Sequence, residues 1–170
     1  MKEVVLPKDD IIVSKTDCSS HITYGNQLFI DISGYPEREL IGQPHNVIRH
    51  PDMPRAIFGL LWQTLKSEKE FLGLVKNRCK NGDFYWAFAN ITPSYDFRSS
   101  VVGYYSVRRK PPVSMIEILE PVYQYMLKLE QSSSDKAEGM SHSKDYFWDE
   151  ISKFGKDYDD ALLSLFNGEI

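Results

Sequence analysis

The stretch that most constrains this fold is residues 71–92, which read as two long strands joined by a tight turn. The segments Phe71–Cys79 and Asp83–Thr92 are rich in aromatic and aliphatic side chains, and the sequence KNGD lies at their junction. An Asn-Gly pair between two such segments is a strong signal for a β-hairpin. The chain is therefore expected to contain an antiparallel sheet.

The register of this hairpin decides which side chains share a face of the sheet, because a slip of one residue exchanges the two faces. A two-residue turn would pair Asn77 with Trp86. A three-residue loop, with Gly82 in the left-handed region, would pair Asn77 with Tyr85. We favour the longer loop, since it gathers small side chains on one face with room for a ligand: Val75, Asn77, Tyr85, Ala87 and Ala89. The other face would carry the aromatic row Phe84, Trp86 and Phe88, which is too apolar to face water. The alternative is that this row is ordinary core and the alanines lie outside.

The rest of this region adds strands at both ends of one domain and helices between them. The expected strands are Ile11–Lys15, Ser20–Tyr24 and Val101–Arg108. The expected helices are Asn26–Ser33, stopped by Gly34 and Pro36, and Met53–Glu68, with Asp52 as its N-cap. This order predicts an α+β domain in which an antiparallel sheet carries helices on one face.

Length and charge exclude several classes of function. The 170 residues, 42% of them hydrophobic, suffice for one full core but hardly two. No apolar run approaches the roughly 18 residues of a membrane span, and the start MKEVVLPKDD lacks the apolar stretch of a signal peptide, so we expect a cytoplasmic protein. The two cysteines, Cys18 and Cys79, are too few for a disulfide framework or a thiolate metal site. Residues 131–170 hold 9 acidic and 4 basic residues, a net charge of −5, and without a basic stripe no nucleic-acid partner is expected.

The motifs IRHPDMP, LVKNR and KNGD, followed by Tyr85-Trp86 and by GYYSVRRKP, occur in this order within residues 11–110. In this combination they resemble the PAS sensor domain of the aerotaxis receptor (Aer) family. The resemblance implies a five-stranded antiparallel sheet, a non-covalently bound flavin adenine dinucleotide (FAD), and redox sensing that controls chemotaxis. Relatives commonly have tryptophan, arginine and histidine where this chain has Phe71, Cys79 and Phe84. The missing indole donor at position 71 would weaken flavin binding.

Residue chemistry and the resemblance together assign the proline-stiffened loop of residues 46–54 to the cofactor. Arg49 is the expected phosphate or ribose contact, because a guanidinium meets phosphate with paired, charge-assisted hydrogen bonds. Asp52, by capping the next helix, would turn the positive end of that helix toward the ligand. His50 would be a further donor, and the Asn77 amide would match the mixed edge of the flavin pyrimidine ring.

The complete set of predicted cofactor-binding residues is Asn26, His45, Arg49, His50, Asp52, Trp62, Phe71, Asn77, Tyr85, Ala87 and Ala89. No catalytic residue and no metal ligand is predicted. The alternatives are structural: Asp52 as only a helix cap with Arg49 as its surface partner, Asn77 as an ordinary strand residue, and Asn26 as only the cap of the first helix.

Residues 1–10 are expected to form an N-terminal cap segment, and the chain beyond the PAS domain a helical extension. Residues 113–130 predict a helix with a short heptad seam, formed by Met115, Leu119, Val122, Met126 and Leu129. Residues 131–144, QSSSDKAEGMSHSK, predict a polar linker. Residues 145–170 predict one amphipathic helix that either docks on its own domain or binds a partner.

The resemblance also implies a partner. The receptor family continues into membrane, HAMP and signalling regions, so the chain is similar to the stand-alone soluble half of a bipartite energy-taxis receptor, the CetB type. Its expected partner is a membrane-bound chemotaxis protein of the HAMP and methyl-accepting type, which would hold it at the inner membrane. A homodimer through the sheet or through helix 113–130 is a second expected contact. The alternatives are a heme-binding PAS gas sensor and a cofactor-free PAS adaptor that mediates dimerisation; an enzyme is not expected.

Overall fold

The computed structural model describes residues 1–169, which divide into two compact units. Met1–His50 and Thr64–Lys110 form the sheet unit, whereas Pro51–Gln63 and the described residues from Pro111 onward form the helical unit. The strands are β1 (Ile12–Thr16), β2 (Ile22–Gly25), β3 (Phe71–Arg78), β4 (Phe84–Tyr95) and β5 (Val101–Arg109). The helices are α1 (Gln27–Ser33), α2 (Glu37–Leu40), α3 (Arg55–Lys66), α4 (Val113–Ser132), α5 (Lys136–Ile151) and α6 (Tyr158–Asn167), with a short 3-10 helix at His45–Ile48.

The five strands form one antiparallel sheet in the order β2-β1-β5-β4-β3. Asn77 pairs with Tyr85 across the central hairpin. The loop is closed by a hydrogen bond of 2.7 Å from the Cys79 N–H to the Asp83 carbonyl, and Gly82 has φ of 91°. Glycine adopts this backbone conformation at little cost because it has no Cβ. The predicted three-residue loop and its register are therefore confirmed.

This register gives the sheet two faces of different character. The Tyr85 face carries Tyr85, Ala87 and Ala89, and the pairing adds Val75, Asn77, Ser14, Ser106 and Arg108 to it. The Trp86 face carries Phe84, Trp86 and Phe88. Trp86 and Phe88 are each 5% exposed, so the aromatic row is kept from water as predicted. Ala87 and Ala89 are also buried, and the alternative that places the alanines outside is wrong.

The short helices of the sheet unit begin and end where local signals place them. The Asn26 side chain caps α1 by accepting a hydrogen bond from the Phe29 N–H, and Gly34 ends the helix in the left-handed region. The Phe29 ring lies 4.7 Å from the guanidinium carbon of Arg108, on the Tyr85 face. The α+β fold with a five-stranded sheet and helices on one face is therefore confirmed.

Residues 1–10 pair with the beginning of β4. The Val4 N–H donates to the Phe84 carbonyl at 2.7 Å, and the Phe84 N–H donates to the Lys2 carbonyl at 3.1 Å. Leu6 is fully buried. The ladder between β4 and β5 begins at Phe88 and does not reach Phe84. The N-terminal segment therefore supplies hydrogen-bond partners for the backbone of β4 at Phe84.

The helical unit corrects the prediction for the start of α3. The helix begins at Arg55, two residues later than expected, and Asp52, three residues before it, is exposed. The Glu130 carboxylate accepts hydrogen bonds from the Arg55 N–H at 3.0 Å and the Ala56 N–H at 2.9 Å. The first N–H groups of α3 are therefore satisfied by a side chain of α4 that lies far away in sequence.

The polar linker predicted over residues 131–144 is wrong, because most of it belongs to α5. Asp135 caps that helix by accepting from the Ala137 N–H at 2.8 Å. Gly139 and Ser143 are buried, and a Cβ at position 139 would lie 3.3 Å from the Glu130 backbone. Their small size allows α4 and α5 to pack closely. In the sequence alone, the same small residues resemble those of a linker.

The single helix predicted over residues 145–170 is two helices, α5 and α6, and Ile170 lies outside the described residues. Asp157 caps α6 through the Asp160 N–H at 2.9 Å. The apolar seams nevertheless lie inside the helical unit, where Phe147 is 6.2 Å from the Tyr123 ring and Ala161 and Leu165 are fully buried. The seam of the C-terminal region is thus used for packing within the chain. Among the described residues, no helix is both long and apolar enough to cross a membrane.

Candidate functional site

Arg108 lies on the Tyr85 face, and its guanidinium is buried without a carboxylate partner among residues 1–169. The residue is 2% exposed. Its Nη2 donates to the Ser14 Oγ at 2.5 Å, and the Phe29 ring covers the guanidinium. Burial lowers the pKa of Arg108, and the neighbouring Tyr85 phenol acts in the opposite direction. A buried charge that no anion neutralises is costly to folding, so a binding role is the better explanation for its presence.

Ser14 joins Arg108 to the predicted site residue His45. The 3-10 helix places the His45 ring parallel to Phe29, with centroids 6.0 Å apart, and its Nε2 lies 3.0 Å from the Ser14 Oγ. Burial, and secondarily the Arg108 charge, lowers the pKa of His45 to about 3. Because a guanidinium can only donate, the Ser14 oxygen accepts from Arg108 and its own proton can be given to the His45 Nε2. His45 is therefore a neutral part of this polar chain.

Five buried polar atoms on the Tyr85 face have no hydrogen-bond partner among the described residues. They are Asn77 Nδ2, Tyr85 Oη, Ser106 Oγ, and Nε and Nη1 of Arg108. Burial raises the pKa of Tyr85 to about 12 against the opposing effects of the Arg108 charge and of the Asn77 amide, which lies near the phenol without reaching hydrogen-bond geometry. The phenol therefore keeps its proton at neutral pH. Three of the five atoms only donate, and the two hydroxyls can donate or accept. Each unsatisfied buried group costs about 1–3 kcal/mol, and five on one face indicate a site for an acceptor-rich ligand.

The predicted cofactor loop reaches this face through Arg49. Arg49 forms an isolated antiparallel bridge with Asn77, so the structure brings the predicted phosphate contact beside the predicted pyrimidine contact. The next residue, His50, is buried and donates its N–H to the Lys76 carbonyl at 3.3 Å. Its ring packs edge-on against Phe84 at 5.8 Å. Because Phe84 belongs to the Trp86 face, the His50 ring lies on the other side of the sheet edge from Tyr85.

The remaining predicted residues of the sheet unit have clear structural positions. Phe71, Ala87 and Ala89 are buried on the Tyr85 face and present apolar surface there. The Asn26 amide is used by the backbone: its oxygen accepts from the N–H groups of Val13 and Phe29, and its nitrogen donates to the Ile11 carbonyl. The alternative reading of Asn26 as a helix cap is confirmed.

Asp52 and Trp62 belong to the helical unit, so the sheet unit alone does not include them. Asp52 is exposed and Trp62 is half-buried in α3. Their assignment to the cofactor remains a prediction.

Sequence reasoning missed Ser14, Ser106 and Arg108. A signal for them existed in the pleat of β5, because side chains alternate between faces and a strand ending at residue 108 places positions 106 and 108 on one face. The missing information was the pairing of Ala89 with Arg108, which places the arginine on the Tyr85 face. An arginine on a buried strand face is rare enough to indicate a site.

Comparison with known proteins identifies the fold. The family model described as the PAS fold matches residues 22–108, from β2 nearly to the end of β5. The chain belongs to the PAS family. It is 46% identical over 118 residues to the aerotaxis receptor of Escherichia coli (strain K12), which covers 69% of this chain and 23% of that receptor. The sequence-based assignment to the PAS sensor domain of the aerotaxis receptor family is confirmed.

More distant relatives of this PAS chain are regulators and photoreceptor domains. It is 29% identical over 104 residues to the nitrogen fixation regulatory protein of Klebsiella pneumoniae, covering 61% of this chain and 21% of that protein. A light-oxygen-voltage domain studied with a flavin analogue has a TM-score of 0.54 and 20% identity, covering 71% of this chain and 85% of the other. That likeness shows the fold alone. The chain spans less than a quarter of the length of these two curated relatives.

Proposed function

We propose that this PAS domain binds FAD non-covalently and acts as a redox sensor for energy taxis, signalling through protein–protein contact. One observation carries the proposal: buried, unpartnered donors of Asn77, Tyr85, Ser106 and Arg108 share one sheet face. The domain is a sensor by family, and this donor set supports a bound cofactor as the sensing element.

The donors suit the pyrimidine edge of a flavin. That edge presents two carbonyl oxygens and the N1 nitrogen, which accept hydrogen bonds from amide, hydroxyl and guanidinium groups, and one N3–H group, which donates. Ala87, Ala89 and Phe71 are buried apolar side chains on the same face, and in our proposal the flat flavin ring packs against them. Arg108 supplies a positive charge, and burial in a medium of low dielectric constant strengthens its attraction for the acceptor atoms of the ligand.

The position of Arg49 supports a flavin that carries a phosphate, and the resemblance to the aerotaxis receptor family favours the dinucleotide. Arg49 lies beside Asn77, so a ligand whose ring contacts Asn77 can place a phosphate within reach of the Arg49 guanidinium. His45 and Ser14 hold the Arg108 side chain in place through the hydrogen bonds described above. When bound, the flavin supplies reversible electron transfer, and the residues around it determine which of its redox states binds best.

The comparisons support the same ligand class and output. The relative in Escherichia coli is an aerotaxis receptor, and a PAS-like neighbour was studied with a flavin analogue. In our proposal the chain is cytoplasmic and contacts a membrane-bound chemotaxis protein of the HAMP and methyl-accepting type. We further propose that the role is sensing by binding rather than catalytic turnover.

Purification followed by absorption spectroscopy tests the proposal directly. We expect a yellow protein that releases FAD on denaturation, identified by chromatography against FAD and flavin mononucleotide standards. Release of the mononucleotide alone would contradict the assignment of FAD as the cofactor. A heme spectrum, or a colourless protein that does not take up added FAD, would refute the flavin proposal and favour the gas sensor or the adaptor.

A further inference from the structure

The Phe71 ring lies against Gly73, two residues further along β3. Phe71 is fully buried, and both residues belong to the Tyr85 face. A Cβ on Gly73 would lie 2.7 Å from Cε1 and from Cζ of that ring, and 3.8 Å from its Cδ1. Apart from the chain neighbours of Gly73, these three carbons are the atoms nearest to such a Cβ. The outer half of a phenyl ring therefore occupies the place that a side chain at position 73 would take.

The backbone of Gly73 does not itself require glycine. Its φ is not positive, so an alanine can adopt the same conformation. At such a position an exchange of glycine for alanine is usually neutral or stabilising, because it restricts the unfolded chain. The cost of a side chain at position 73 thus comes from its contact with the Phe71 ring.

Gly73 lies in the same row of the sheet as Arg108. Arg108 pairs with Ala89 across β5 and β4, and Ala89 pairs with Gly73 across β4 and β3. Neighbouring strands are about 4.8 Å apart, so the backbones of Arg108 and Gly73 are separated by roughly 10 Å, with Ala89 between them. A flat ligand that is held by the Arg108 guanidinium and packs on Ala89 is therefore bordered by the Phe71 ring where that ring covers Gly73.

We propose that Gly73 is a positioning residue of the ligand site: by admitting the Phe71 ring against the strand, it keeps that ring off the surface over Ala89 on which the flavin packs. This inference rests on the proposed function. A side chain at position 73 displaces the phenyl ring, and because the ring is fully buried, it can move only toward neighbouring interior groups, the flavin among them. The effect concerns the ring system of the ligand and not its phosphates, so riboflavin, which has no phosphate, is affected like FAD.

The test is a double-mutant cycle in the full chain, formed by Gly73→Ala, Phe71→Leu and the double variant. The two branches of a leucine end near the positions of the ring Cδ carbons, so leucine removes the two atoms that the new Cβ would approach most closely. The Phe71→Leu background is thus the matched control for the added methyl group. Flavin-free protein is titrated with riboflavin and with FAD, and circular dichroism verifies the fold of each variant.

In Gly73→Ala we expect the dissociation constants of riboflavin and of FAD to rise together by about tenfold or more, the range for overpacking a filled interior. In the Phe71→Leu background the same alanine should change either constant by no more than about twofold, as for two sites without a shared contact. This rescue identifies the phenyl ring as the group through which Gly73 acts.

Three results would overturn the inference while leaving wild-type flavin binding, and hence the proposed function, intact. The first is a folded Gly73→Ala protein with unchanged affinity for both flavins. The second is an equal loss of affinity in both backgrounds, because the effect would then not pass through Phe71. The third is a loss confined to FAD, which would place the effect at the phosphates.

A wild-type chain that binds neither flavin refutes the proposed function and this inference with it. If Gly73→Ala alone does not fold, Phe71→Leu and the double variant carry the test. These two variants should bind riboflavin with equal affinity, and weaker binding by the double variant would contradict the role of the ring.

Discussion

Replacing Arg108 by methionine should stabilise the flavin-free protein and weaken flavin binding, two effects of opposite sign. Methionine removes the charge but retains much of the length and apolar contact with Phe29. The Ser14 hydroxyl keeps its partner in the His45 Nε2, so the substitution leaves no new unsatisfied hydroxyl. If Arg108 only supported the fold, its replacement would lower the stability of the protein both with and without flavin.

The magnitudes follow from the contacts of the guanidinium. Its charge is buried with one hydroxyl acceptor and one aromatic ring, and replacement of buried ionic groups by apolar ones has gained about 1–4 kcal/mol in other proteins. A gain of 1 kcal/mol raises the melting temperature of a protein of this size by about 2–4 °C. With flavin present, one lost charged hydrogen bond from Nε or Nη1 costs about 1.5–3 kcal/mol, which raises the dissociation constant roughly 10- to 150-fold.

Calorimetry of the flavin-free protein and titration with FAD measure the two effects separately. Arg109→Met is the matched control, because Arg109 is the next residue, is exposed, and pairs opposite Phe88 rather than on the Tyr85 face. We expect the control to leave both quantities near the wild-type values. A flavin-free Arg108→Met protein that melts lower than wild type and yet binds FAD with full affinity would refute the reasoning.

Three further predictions use other contacts of the sheet unit. Ala89→Leu should exclude FAD at an overpacking cost of about 1–3 kcal/mol, whereas Trp86→Ala should retain it, and the opposite result in flavin content would place the ligand on the Trp86 face. His45 should make the free energy of unfolding depend on pH. Its folded pKa of about 3 lies below the usual value of 6.5, so between these two values the unfolded state binds one proton more than the folded state. The contribution of His45 to stability is therefore complete above pH 6.5 and falls by up to about 1.4 kcal/mol per pH unit toward pH 3. Denaturant unfolding of His45→Gln should show a flatter dependence over this range, and an unchanged slope would contradict the prediction. Burial raises the pKa of Cys79 to about 11, and its Sγ donates to the Ile32 carbonyl, so iodoacetamide at pH 8 should modify the exposed Cys18 long before Cys79, as peptide mass spectrometry can show.

The parts of the fold that the sequence predicted are those set by neighbouring residues. The three-residue loop before Asp83, the cap at Asn26 and the glycine end of α1 each depend on side chains within a few positions. Once the loop fixed the register, the two faces of β3 and β4 followed from alternation alone. The predicted bounds of these strands and of α1 accordingly lie within a few residues of the observed ones.

The errors lie where a partner distant in sequence overrides a local signal. Gly139 and Ser143 resemble linker residues, but their size is what allows α5 to approach α4. The Arg55 and Ala56 N–H groups at the beginning of α3 donate to Glu130, which lies 75 and 74 positions further along the chain. No local pattern contains either contact, because both depend on how helices far apart in the chain pack together.

Glu130 and Arg108 are both buried and charged, but they differ in how fully their charges are satisfied, and that difference separates a structural role from a binding role. Glu130 accepts two backbone N–H groups, a serine hydroxyl and an arginine side chain, so its charge is neutralised within the helical unit. Arg108 has one serine oxygen and a phenyl ring, and two of its donor nitrogens have no partner among the described residues. The hydrogen bonds of Glu130 compensate for its burial within the protein. The burial of Arg108 becomes favourable only when a ligand adds acceptors for its free donor nitrogens. The ligand should therefore bind at Arg108, where its acceptors would satisfy the Nε and Nη1 donors.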